Sequence, residues 1–155
     1  MKNKWLLLAI AVPIVGLLVL VLRNHHVTSQ DPLNADGIRD DVAQAIAQRF
    51  PESEKKRAAA IQMARAFQMA IEHPNNALEF NHILTKAEEC MDAIEGLGPA
   101  DGPTGTGGII RDFVVNSLTR TRAYIHANAG LSGHIFPGIE ANISSCEFDM
   151  SKMRN

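Results

Sequence analysis

Apolar positions along this chain fall into two regimes. Between Trp5 and Leu22 there is no charge and almost nothing polar. A helix over this run, at about 1.5 Å per residue, would span ~27 Å, close to the roughly 30 Å hydrocarbon core of a bilayer. Beyond Arg23 the apolar residues return at helical spacing instead, separated by polar and charged positions.

Ile38, Val42, Ile46 and Phe50 recur every fourth position, with Ala43, Ala45 and Ala47 beside them, which predicts a first helix from about Asp36 to Phe50. Asp36, Asp40 and Asp41 suit its positive end, and Pro51 stops it. Ser53 is a good N-cap for a second helix that runs to Glu72 or His73, ahead of Pro74. Its stripe is Ala60, Ile61, Ala64, Phe67, Ala70 and Ile71, and so much alanine implies close approach between helices. Asn76-Ala77-Leu78-Glu79 resembles a capping box and opens a third helix, with Phe80, Ile83, Leu84, Ala87, Met91 and Ile94 inward and Gly96 as C-cap. Residues 96–108, GLGPADGPTGTGG, are too rich in Gly and Pro for a helix or central strand. A fourth helix is predicted from Ile109 to Ala129, with Ile110, Phe113, Val114, Leu118 and Ile125 inward and Gly130 as its stop. Leu131, Ile135 and Phe136 should pack down within a loop. Ile139, Ile143, Cys146 and Met150 then predict a short last helix begun near Pro137.

No strand pattern competes. The expected fold is all-α: one N-terminal transmembrane helix, then a small antiparallel bundle of four main helices plus a short C-terminal helix. The corresponding segments are an anchor over 1–23, a juxtamembrane tether over 24–35 and an exported domain over 36–155. The opening run is longer than the h-region of a cleaved signal peptide, and Arg23-Asn24-His25-His26 follows it directly, so it reads as a retained anchor. Cleavage after Ser29 is the competing reading. Lys2 and Lys4 precede the run, which keeps the N-terminus cytoplasmic and exports the remainder, in a bacterial inner membrane into the periplasm.

Charge and cysteine content sharpen this picture. All 17 acidic residues follow Arg23, whereas three of the 15 basic ones (Lys2, Lys4 and Arg23) do not, so the exported part carries 12 positive against 17 negative charges, a net of −5. That excludes a nucleic-acid partner, which requires a basic footprint. The two cysteines, Cys90 and Cys146, both lie in the exported part and are expected to form one disulfide.

Candidate chemistry is sparse. The glycine-rich loop lacks the Lys-Ser/Thr of a phosphate-binding loop and the third glycine of a dinucleotide fingerprint. Gly105, Gly107 and Gly108 with Arg111 remain a candidate anion or partner contact at a helix N-terminus. Arg120 and Arg122 either pair with Glu88, Glu89, Asp92 and Glu95 across helix rims or belong to a partner-binding face. Glu79 and His82 form a single Glu-x-x-His, where a di-iron bundle needs two such pairs and two further glutamates. No cofactor, metal site or catalytic constellation is expected. The pattern implies an anchored periplasmic domain that binds another protein, a basic one being suited to its acidic balance, as an accessory subunit of an envelope complex or a toxin-neutralising partner. The alternative is a cleaved, soluble periplasmic protein holding a small ligand among Met63, Phe67 and Met69.

Overall fold

The computed structural model describes residues 32–96 and 105–154. The apolar opening run, the cleavage position after Ser29 and most of the glycine-rich loop lie outside the described residues. Among the described residues the chain is all-helical, with α1 (Asp40–Arg49), α2 (Glu54–Glu72), α3 (Ala77–Glu95), α4 (Thr106–Val114) and α5 (Leu118–Ala129), and no helix there is long and apolar enough to cross a membrane.

The helix α2 is the centre of the bundle and packs against the other four. Its alanines explain why it can. Ala59, Ala60, Ala64, Ala66 and Ala70 are fully buried, and side chains this small let neighbouring backbones come close on several sides. Met63 and Phe67 fill the larger gaps, and Phe67, Phe80 and Tyr124 pack pairwise in tilted and edge-to-face contacts with ring centroids 6.0–6.3 Å apart, joining α2, α3 and α5. The N-cap expected at Ser53 is present, its Oγ accepting from Lys56 N. Gly96 ends α3 at φ +68°, a conformation that favours glycine. Asn76 differs from expectation: its side chain donates to Glu79 Oε2 rather than capping the helix backbone.

Three elements depart from the sequence reading. First, α1 starts four residues late. The Asn34 side chain accepts from the backbone N–H groups of Asp36 and Ile38, and Gly37 takes φ +73°, so Asn34–Ile38 forms a turn that an uninterrupted helix would have to break. Second, the long fourth helix is two helices, α4 and α5, parted at Val115–Ser117, and α4 begins inside the segment assigned to the loop. The cause is Arg39. This guanidinium is only 3% exposed, and its Nη1 and Nη2 donate to the carbonyls of Val114 (3.1 Å) and Phe113 (3.3 Å). Those carbonyls are the ones a continuing helix would use, so α4 stops there and Ser117 caps a new helix through Arg120 N. As a result α5 turns Ala123, Tyr124 and Ala127 inward, a face about 160° around the helix from the predicted Leu118 and Ile125.

Third, the expected C-terminal helix is an irregular strap with 3₁₀ turns at Ile143–Ser145 and Met150–Lys152. Asn142 and Asp149 accept from the backbone N–H two residues on, a local turn that competes with helix. The strap is held along its length. Asn142 N donates to Glu89 O (3.0 Å). The buried Gln62 donates to Ser145 O (2.8 Å) and accepts from Glu147 N (3.1 Å). Arg154 clasps Glu54 through side chain and backbone. Cys146 is bonded to Cys90 of α3, with Cα atoms 4.9 Å apart. The loop before the strap only partly packs: Leu131 touches the core, while Ile135 is 98% exposed and Phe136 also faces solvent.

Arg39→Ala is expected to destabilise the fold by about 3 kcal/mol, because it leaves buried carbonyls and Gln68 without their donor. Urea denaturation would show this as a lower midpoint, with Arg39→Lys recovering only part of the loss. Cys146→Ser is expected to cost roughly 2–4 kcal/mol and to make residues 142–154 the first site of limited proteolysis.

Candidate functional site

The residues singled out in the sequence do not converge on one place. Gly105 precedes α4 in extended conformation, and Gly107 and Gly108 lie in the first turn of that helix. This helix end faces carboxylates of the same chain. Thr106 Oγ1 donates to Glu95 Oε2 (3.0 Å), Lys56 pairs with Glu95 (3.4 Å), and a side chain added at Gly107 would stand 3.8 Å from Glu88 Oε1. An anion arriving at this turn would therefore meet negative charge. Arg111 points elsewhere, pairing with Asp112 at 2.9 Å and lying close to the Tyr124 hydroxyl. Met63 and Phe67, considered above as a ligand lining, are core side chains packed among α2's neighbours.

Glu88 is the titratable group whose environment matters most. Burial, and secondarily the neighbouring charge of Asp92, pushes its carboxyl up to about 7. Burial likewise raises Tyr124, with Arg111 opposing. At Asp41 partial burial works against the charge, but hydrogen bonding and attraction from Arg39, with help from Asn116, hold the carboxyl below its usual range. These are groups that shape the bundle. Among the described residues there is no cluster of three or more His, Cys, Asp or Glu side chains placed to hold a metal ion.

The surface with the clearest unmet chemistry is the outer side of α5. Leu118, Arg122 and Ile125 follow one another at i, i+4 and i+7, which is a single stripe on a helix. Leu118 is 68% exposed and Ile125 60%. The helix carries Arg120, Arg122 and His126 and no carboxylate. Arg120 is half-buried and leans back to Asn116 Oδ1, whereas Arg122 faces solvent between the two apolar side chains.

At the C-terminal end of α5 lies an open cleft of about 540 Å³, lined by His126, Gly130 and His134 on one side and by the Pro74–Glu79 turn, including Leu78, on the other. Gly130 is needed here, since a Cβ would come within 2.7 Å of Ala77 Cβ. Leu78 is more than half exposed, and His134 stacks on Phe136 with centroids 6.0 Å apart. Single exposed apolar residues are ordinary, but a row of them along one element and its adjoining loop marks a surface that can bind.

Sequence reasoning offered Arg120 and Arg122 as one alternative for a partner-binding face but placed Leu118 and Ile125 in the core, and so missed the apolar part of this face. Their spacing does identify a stripe. What it cannot say is which side of the helix the fold covers. No protein-family model, curated protein or solved structure matches this chain.

Glu88 keeps its proton to about pH 7 when folded, against a usual value of 4.5, so the folded chain binds more protons between these limits and stability falls as pH rises through them. Glu88→Gln is therefore expected to be near neutral below about pH 4 and stabilising by ~2 kcal/mol above about pH 8, read from denaturation midpoints across pH.

Proposed function

We propose that this protein is a single-pass component of a bacterial inner membrane, anchored through residues 5–22, whose periplasmic helical domain binds another protein through the outer face of α5. The observation that carries the reading is the exposed pair Leu118 and Ile125 on one stripe of α5, with Ile135 and Phe136 exposed in the loop that follows. Leaving a large aliphatic side chain in water forgoes about 1.5–3 kcal/mol relative to burying it, a gain that a docked partner recovers. The Cys90–Cys146 bond is consistent with an oxidising compartment, where such bonds persist. The uncharged run from Trp5 to Leu22, preceded by Lys2 and Lys4, supports the anchor and its N-in orientation. A short tether over 24–35 would keep the domain near the membrane surface. An accessory subunit of an envelope complex and a neutralising partner for an exported toxin are both served by this arrangement.

A photoreactive residue placed at Ile125 in the full chain, irradiated in intact membranes, is expected to crosslink to one discrete protein. The same probe at Glu52, on the exposed turn between α1 and α2, is expected to give none. Equal yields at the two positions would remove the binding reading. Recovery of a soluble chain beginning near Asp31, in place of a full-length chain in the membrane fraction, would remove the anchor.

A further inference from the structure

The exported part is acidic overall, which by itself points to a basic partner. Yet two of the apolar side chains left in water, Leu118 and Ile125, lie on the helix that departs from that balance. Every formally charged side chain of α5 is an arginine, Arg120 or Arg122, and its outward row alternates Leu118, Arg122 and Ile125 over ~10 Å of helix. We infer that the partner is a protein segment bearing carboxylates interleaved with apolar side chains, which lies along Leu118, Arg122 and Ile125. This rests on the protein-binding reading above and reverses the partner charge that overall composition suggests.

Charge complementarity decides among the possible occupants. Contact surfaces juxtapose unlike charge, and an arginine between two apolar residues favours a carboxylate that it can hold bidentately beside buried aliphatic groups. An anionic lipid surface fits less well. With Tyr124 and Ala127 committed to the core, α5 has only Leu118 and Ile125 to sink among headgroups, too little apolar area for an interfacial helix, and the exported net charge of −5 opposes approach. A second copy of the chain fits less well too. Its densest acidic stretch, Glu88 to Glu95 on α3, is half-buried and engaged: Glu89 accepts from Ser145, Glu95 binds Thr106 and Lys56, and Glu88 faces the first turn of α4. That leaves no exposed acidic and apolar row there to meet α5.

The test places a photoreactive residue at Leu118 in the full chain in native membranes, sequences the crosslinked peptide, and repeats the measurement with Arg122→Glu and Arg122→Lys. The expected result is a peptide from another protein with Asp or Glu beside its apolar residues. Its yield should fall at least about tenfold with Arg122→Glu and stay within about twofold with Arg122→Lys. Arg122 is exposed, so folding is checked simply by the unchanged thermal midpoint and intact Cys90–Cys146 bond of each variant. A protein crosslink to a basic or uncharged segment, or one indifferent to Arg122→Glu, overturns the inference and leaves the binding reading standing. A crosslink to lipid or to a second copy of the chain overturns it in favour of that occupant. No crosslink from Leu118 or Ile125 overturns both.

Discussion

A buried guanidinium has to be surrounded by acceptors, and the way Arg39 meets that requirement organises the molecule. Its donors reach Asp41 at the start of α1, Gln68 in the last turns of α2, the carbonyls of Phe113 and Val114 at the end of α4, and Asn116 in the break that follows. One side chain thus satisfies the negative end of a helix while binding three helices to a common point. The desolvation cost of burying such a charge is several kcal/mol, and only a full set of hydrogen bonds offsets it. The arrangement is therefore sharply defined: partial versions of it are worse than none.

The consequences run from that point to the surface. Because the last carbonyls of α4 are turned toward Arg39, the helix cannot continue, and Ser117 begins α5 with a new direction and a new facing. Tyr124 then enters the aromatic cluster with Phe67 and Phe80, while Leu118 and Ile125 are carried outward. The proposed binding face is in this sense a product of core electrostatics. Had α4 and α5 been one straight helix, the same apolar stripe would have been a candidate for the core.

A second set of constraints holds the C-terminal strap. Gln62 occupies a position on α2 where the surrounding stripe is apolar, and its amide bonds the backbone of Ser145 and Glu147 much as a neighbouring strand would. With the Cys90–Cys146 bond and the Glu54–Arg154 clasp, this fastens a segment with little regular structure of its own. Short 3₁₀ turns and an exposed Ile143 would not hold it there. The strap leaves the outer row of α5 uncovered, with Leu118 and Ile125 exposed.

The amino-acid sequence by itself determined the local events: the all-helical class, the cap at Ser53, the stop at Gly96, the alanine-lined centre of α2 and the pairing of two cysteines with no other choice. Each depends on residues a few positions apart or, for the cysteines, on their number. The tertiary structure alone decided what depends on distant partners. Whether Arg39 is a surface charge or a buried hub is settled by carbonyls more than seventy positions away. That in turn decides where α4 stops and which side of α5 is dry. Periodicity reports that Leu118 and Ile125 share a stripe, but burial is a property of what stands opposite, and nothing within one helix encodes its neighbour. The Gly105–Gly108 turn shows the same limit: its backbone suits an anion, and only the arrival of Glu88 and Glu95 from α3 gives it carboxylates of its own.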